Sequence, residues 1–180
     1  IREELVTSTR AMIGSEQNLF EETPEHCRQL TITEPVLTNE ELEKIREIDV
    51  NGMRAKTLST LFDPETKGSL ERAMDDLCRQ ASRAIEEGYS IIILSDRGVD
   101  ARRAPIPSLL ATAGVHHHLI REGTRIRAGL VVESGEPREV AHFALLIGYG
   151  AGAINPYLAF ETLADMSRQA SFLTPLGYDT

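Results

Sequence analysis

The sequence contains no tryptophan, and aromatic residues make up only 5% of it. Stacking platforms for single-stranded nucleic acid need such rings. Basic residues are scarce as well: 19 Lys and Arg stand against 28 Asp and Glu, for a net charge of −9. Nucleic acid and anionic membranes both select a basic footprint, so neither is expected as a partner. No apolar run approaches the ~20 residues that span a bilayer, and no basic-then-apolar leader opens the chain. A soluble protein is expected. The two cysteines, Cys27 and Cys78, have no metal-ligand spacing. Both read as reduced structural residues, which suits the cytoplasm, or the plastid stroma in a plant or alga. The chain opens on Ile1 rather than Met, which reads as a piece of a longer polypeptide.

Motifs that carry chemistry are missing too. There is no GxGxxG run, no Walker-type loop and no nucleophile elbow. Gly148-Tyr149-Gly150-Ala151-Gly152 follows a helix and precedes a strand, the reverse of the dinucleotide order. It reads as a helix stop with a tight approach to the sheet. His116, His117 and His118 are consecutive, so on a helix they point about 100° apart and do not converge on one ion. A structural role at a helix end is expected, where an imidazolium suits the dipole. His142 is the nearest other candidate and lies on a different helix. Arg102 and Arg103 precede a helix but have no glycine cradle to make a phosphate site. No catalytic, cofactor-binding or metal-binding residue is assigned.

What is present is a regular alternation. Residues 1–52 read as an N-terminal helix over Ile1–Ile13, an extended acidic strap over Ser15–Pro35, and a short helix. Thr23-Pro24 starts one helical turn in the strap, and Leu19, Phe20, Leu30 and Ile32 are its expected anchors. Thr38-Asn39-Glu40-Glu41 is a capping box for the short helix, with Leu42 and Ile45 inward. Asn51-Gly52 marks a turn. Residues 53–180 read as a β/α domain, and the two parts together as one structural domain. Its strands are Met53–Phe62, Ile91–Leu94, Arg127–Glu133 and Ala153–Ile154. Its helices are one capped by Ser69 with a stripe from Leu70 to Ile85, Pro105–Ile120, a third through Ala141–Ile147, and a fourth started by Asn155-Pro156 and running to Arg168.

Continuous apolar strands joined by helices imply a parallel sheet. The expected fold is α/β, with about four β-α units resembling a partial TIM-type barrel behind an irregular, partly helical N-terminal extension. A small doubly wound three-layer sheet is the alternative. In either fold the loops after the strands gather at one edge, where α/β sites form. Ser95, Asp96, Arg97 and Gly98 lie there, and so do Asn155 and Pro156. The preferred reading has Asp96 satisfying loop amides and Arg97 pairing with a neighbouring carboxylate such as Glu133.

Four runs carry a resemblance: NLFEETPEHCRQL (Asn18–Leu30), PVLTNEELEKIR (Pro35–Arg46), ILSDRGVDARRAPIPSLLATAGVHHHLIREG (Ile93–Gly123) and LVVESGEPREVAHFALLIGYGAGAINPYLAFETL (Leu130–Leu163). Together they resemble the central domain of glutamate synthase, in its large-subunit or ferredoxin-dependent form. The resemblance implies an oxidoreductase parent that makes glutamate from glutamine and 2-oxoglutarate. It implies a flanking amidotransferase domain with a first-residue cysteine nucleophile, and a flanking FMN barrel domain beside an iron–sulfur cluster. The central domain would connect the two and help form the ammonia tunnel, and would itself hold no cofactor. Ile1 stands where an amino-terminal cysteine would, so no catalytic residue carries over. The loops Ser95–Val99 and Asn155–Pro156 are expected to face a neighbouring domain, and the strap to lie on one. Two other readings stay open: a free-standing small α/β enzyme using the loop Ser95–Arg103, and a dimerising module. Self-association of the isolated piece is expected in any case.

Overall fold

In the computed structural model, residues 8–18 and 20–168 are described. Among them the strands are β1 (Ala11–Gly14), β2 (Gln29–Ile32), β3 (Asp49–Val50), β4 (Met53–Ser59), β5 (Leu61–Phe62), β6 (Ile91–Ser95), β7 (Ala104–Pro105), β8 (Gly129–Glu133) and β9 (Ala153–Asn155). The helices are α1 (Asn39–Arg46), α2 (Ser69–Glu86), α3 (Ser108–Arg121), α4 (Val140–Gly148) and α5 (Tyr157–Arg168). Short 3-10 turns occupy Pro24–Cys27 and Arg125–Arg127.

The central sheet has the order β3-β4-β6-β8-β9. β4, β6, β8 and β9 are parallel, and β3 is antiparallel to β4. Each new parallel strand is added on the same side as the last, so the order never reverses. A doubly wound sheet would show a reversal, and that alternative is not what forms. Each end of the sheet carries a short added segment. Asn51 (φ 53°) and Gly52 (φ 80°) turn β3 into β4, a left-handed pair typical of tight hairpins. On the far edge, Leu37 N donates to Ile154 O and Ile154 N to Pro35 O, each at 2.8 Å. The stretch around Val36 thereby lies parallel to β9.

β6 is buried at all five positions, so it separates two cores. Ile92 and Leu94 face a core with Leu77, Ala81 and Ile85 of α2 and Val115 and Leu119 of α3. Ile91 and Ile93 face a second core with Ile13 of β1, Leu42 and Ile45 of α1, and Val131 of β8. Burying such side chains is worth roughly 1.5–3 kcal/mol each. The N-terminal extension is therefore the second face of this sheet. Leu30 and Ile32 pack on it, and Glu16 N donates to Ile126 O at 2.6 Å, so both ends of the strap lie on this domain. Phe20 is 97% exposed, contrary to its expected anchoring, and Leu19 lies outside the described residues.

The capping box at Thr38, the inward Leu42 and Ile45, the Pro24 turn and the α2 stripe form as the sequence indicates. Four expectations are corrected. Ala11–Ile13 belongs to a strand, because Ala11–Gly14 pairs antiparallel with Gln29–Ile32. The rest of that expected helix at residues 1–7 lies outside the described residues. A Cβ on Gly129 would sit 2.7 Å from Gly14 N, so β1 crosses β8 at close range. The cap of α2 is Gly68 (φ 73°); Ser69 is its first residue, and its hydroxyl donates to Asp63 O. α3 starts at Ser108 rather than Pro105. Pro107 disfavours helical geometry at Ile106, and Ile106 N instead donates to Thr60 O at 2.8 Å beside the β5–β7 pair. Asn155 ends β9, and α5 begins two residues later.

Candidate functional site

The parallel ladder continues past the ends of the strands. Thr60 N donates to Ser95 O (2.8 Å), Asp96 N to Glu133 O (3.1 Å) and Ser134 N to Asn155 O (3.0 Å). These bonds bring the loops after β4, β6, β8 and β9 to one edge, the position where α/β folds build sites.

Glu133, the last residue of β8, is the centre of this edge and is 1% exposed. Its Oε2 accepts from Ser95 Oγ at 2.5 Å and from Arg46 Nη2 at 3.0 Å. Its Oε1 accepts from Arg97 Nε at 2.6 Å. Burial pushes its carboxyl up, but the bonds from Ser95, Arg46 and Arg97 outweigh that and hold it below the usual range. Each arginine also has a second partner. Arg46 Nη1 donates to Thr57 Oγ1 at 2.6 Å and Arg97 Nη1 to Glu161 Oε1 at 3.0 Å. The Arg97 guanidinium stacks 4.0 Å over the Tyr157 ring, a favourable cation–π contact.

Asp96 sits beside this cluster and is 4% exposed. It accepts from Ser134 Oγ at 2.6 Å and from Gly135 N at 3.1 Å. Tyr157 lies beside it, and burial together with the neighbouring Asp96 carboxylate raises the tyrosine pKa. The void left between Thr60, Asp96, Ser108, Glu133 and Ser134 is about 10 Å³, too small for a substrate. Asn155 Nδ2 donates to Leu37 O and to Asn39 Oδ1, both at 2.9 Å. It ties the edge to the start of α1 rather than capping α5.

The six residues singled out in the sequence are thus brought to one edge, but most face inward. Ser95, Asp96, Asn155 and Pro156 are buried; Arg97 and Gly98 reach the surface. The expected pairing of Arg97 with Glu133 and of Asp96 with loop amides is what forms. Sequence reasoning missed Arg46, Thr57 and Tyr157, which join from positions far along the chain. It also missed Glu136, whose Oε2 accepts from Ser108 N at 2.8 Å. That carboxylate caps α3, favourably placed against the helix dipole, because Pro107 has no side-chain acceptor to do so.

Three of the histidines are held by hydrogen bonds within the fold. Arg125 Nε donates to His116 Nδ1 at 2.9 Å, Nη1 to Ala128 O at 2.7 Å and Nη2 to Gly150 O at 2.8 Å. An Nδ1 that accepts a bond carries no proton, so His116 is neutral here and not the expected imidazolium. Burial, with Arg125 beside it, lowers its pKa. His118 bonds Ser82 Oγ at 2.8 Å. His142 Nδ1 accepts from Arg138 N at 3.1 Å at the start of α4. The glycine run stops α4 and approaches α3 closely: Gly150 has φ +108°, and a Cβ there would lie 2.2 Å from His116 Nδ1. Arg103 pairs with Asp100 at 2.7 Å. Among the described residues, no three His, Cys, Asp or Glu converge as metal ligands, and no helix is long and apolar enough to cross a membrane.

Comparison with known proteins places this arrangement. The family model described as the glutamate synthase central domain matches residues 1–177. The chain is 45% identical over 162 residues to the glutamate synthase [NADPH] large chain of Bacillus subtilis, covering 90% of this chain and 10% of that protein. It is 41% identical over 172 residues to the glutamate synthase [NADH] of Schizosaccharomyces pombe, covering 94% and 8%. It is 41% identical over 166 residues to the chloroplastic ferredoxin-dependent glutamate synthase of Oryza sativa subsp. japonica, covering 90% and 10%. The chain therefore spans about a tenth of the length of these relatives. With the matched residues running almost end to end, the chain belongs to the glutamate synthase central domain family.

Proposed function

We propose that this chain is the connecting domain of a glutamate synthase, set between an amidotransferase domain and an FMN domain of the same polypeptide and forming part of the wall of the ammonia path. The parent reaction would convert glutamine and 2-oxoglutarate into two glutamates, in the cytoplasm or, in a plant or alga, the plastid stroma. The observation that carries this reading is the carboxyl edge of the sheet. There the Glu133 and Asp96 networks satisfy their own members and leave about 10 Å³. A scaffold role uses such an edge; a free-standing enzyme would need it open. The sequential strand order supports reading the four β-α units as part of a TIM-type barrel.

The cofactors implied for the parent do not fit the residues here. Iron–sulfur clusters take several thiolates, and this sequence has two cysteines, one exposed and one on α2. A flavin phosphate would meet the carboxylates of Glu133 and Asp96. Both groups would therefore sit in other parts of the parent.

In this reading Arg97, Gly98 and the half-exposed Val99 are the parts of the loop that meet a neighbouring domain. The test is Val99→Glu in the full-length parent. Glutamate formation from glutamine should fall several-fold with ammonia released to solution, while formation from added ammonia persists. Unchanged rates from both nitrogen sources would refute the loop assignment.

A further inference from the structure

A helix that is apolar all round belongs in an interior, yet α4 is mostly uncovered. Val140 is 86% exposed, Leu145 48% and Ile147 41%, and Ala141 and Ala144 are exposed too. At 100° per residue these positions, with Gly148, occupy an arc of about 160° that carries no charge. Only Leu146 of the helix is fully buried. Beside the arc lies a cleft of about 160 Å³ between α3 and α4, lined by the apolar Leu109, Pro137, Leu145 and Leu146 and by the polar Ser108, Glu136 and His142. Its volume suits one large apolar side chain.

We propose that this face of α4 is covered by another part of the same parent polypeptide, which inserts an apolar side chain into the α3–α4 cleft. The inference rests on the reading that this chain is one domain of a longer protein. Two observations select this occupant over a second copy. First, relatives carry this domain within chains about ten times its length, so most of each polypeptide is available as a neighbour. Second, a nine-residue helix is about 14 Å long, and half its surface offers on the order of 200 Å². A stable complex of separate chains needs about 800 Å² per partner. A contact this small holds when tethering supplies a high local concentration. The absence of charge on the arc selects an apolar partner surface.

The test uses the full-length parent. Thiols are introduced singly by Leu145→Cys and Ala144→Cys on α4 and by Asp75→Cys on the charged face of α2. Their alkylation rates are read peptide by peptide by mass spectrometry. Labelling at positions 144 and 145 should be at least about tenfold slower than at position 75, at every protein concentration. Equal rates overturn the proposal. Protection that disappears on dilution to nanomolar protein also overturns it, in favour of a second copy. The underlying reading fails separately if an antibody to this chain detects, in source cells, a polypeptide of this length alone.

Discussion

α2 and α4 make the same kind of connection, each leading from one parallel strand to the next, but they are held in opposite ways. α2 is held by its face. Leu77, Ala81, Ala84 and Ile85 are buried, while Glu71, Arg72, Asp75, Asp76, Arg79 and Arg83 face water. α4 is held by its ends. Asp96 grips Ser134 and Gly135 ahead of it, His142 accepts the amides at its start, and the Gly150 turn behind it docks on His116 and Arg125. A helix with a finished amphipathic face needs nothing more. A helix fixed at its ends with its apolar side bare is positioned for something else to cover.

The largest effect that sharpens this contrast is expected from Leu77→Ala on α2. It leaves a cavity under a buried face and should lower unfolding free energy by about 3–4 kcal/mol in urea titration. A loss as small as that of a surface mutation would break the contrast. Next comes Glu133→Ala, which removes the carboxylate at the end of β8 that holds Ser95, Arg46 and Arg97 beside the Asp96 grip on the loop ahead of α4. Arg46 keeps Glu43 and Thr57 and Arg97 keeps Glu161, but Ser95 Oγ and both guanidinium groups lose their buried acceptor, and about 2–3 kcal/mol is expected. The same group sets a pH dependence. Its folded pKa lies below the ordinary glutamate value of 4.5, so its stabilisation is complete above that value and is lost as pH falls through the folded one. The urea midpoint should therefore fall in acid more steeply for the native protein than for Glu133→Gln. Parallel curves would show that the network does not anchor this edge. Gly150→Ala tests the other end of α4, where positive φ and the His116 ring both oppose a side chain. About 2 kcal/mol is expected. The smallest effect belongs to Leu145→Glu on the bare arc, within about 0.5 kcal/mol of the parent value for this chain alone. A large loss there would mean the arc is already buried.

Legibility in the sequence followed how local each cause was. The stripe and the stop of α2 are legible because Leu70–Ile85 and Gly88 lie in one segment, although its cap is Gly68 and not Ser69. The α1 capping box, the Asn51-Gly52 turn and the continuous run of β6 are local in the same sense. The strand at Ala11–Gly14 is not legible because four residues cannot separate a helical from an extended period, and it is settled by pairing with Gln29–Ile32, 15 to 21 positions away. Asp96, Arg97 and Glu133 were legible because strand ends bring their loops together. Arg46 was not, since its bond to Glu133 spans 87 positions and nothing near Arg46 signals it. The Glu136 cap on α3 was missed for the same reason. The bare face of α4 leaves no mark in the sequence, where an apolar helix reads the same whether its cover lies inside the chain or beyond it.

The stretch from Pro35 to Leu37 lies against β9, with Asn155 reaching across 118 positions to Leu37 O. During synthesis the cover for the sheet's last edge is made first, and the strand it covers emerges more than a hundred residues later. The β9 edge can be sealed only once residues 153–155 have left the ribosome, so N-terminal ordering and completion of the sheet become one late event. Contacts of such sequence separation slow folding. The second core, built largely from residues 13–45 against β6 and β8, has to wait for both strands before it can close.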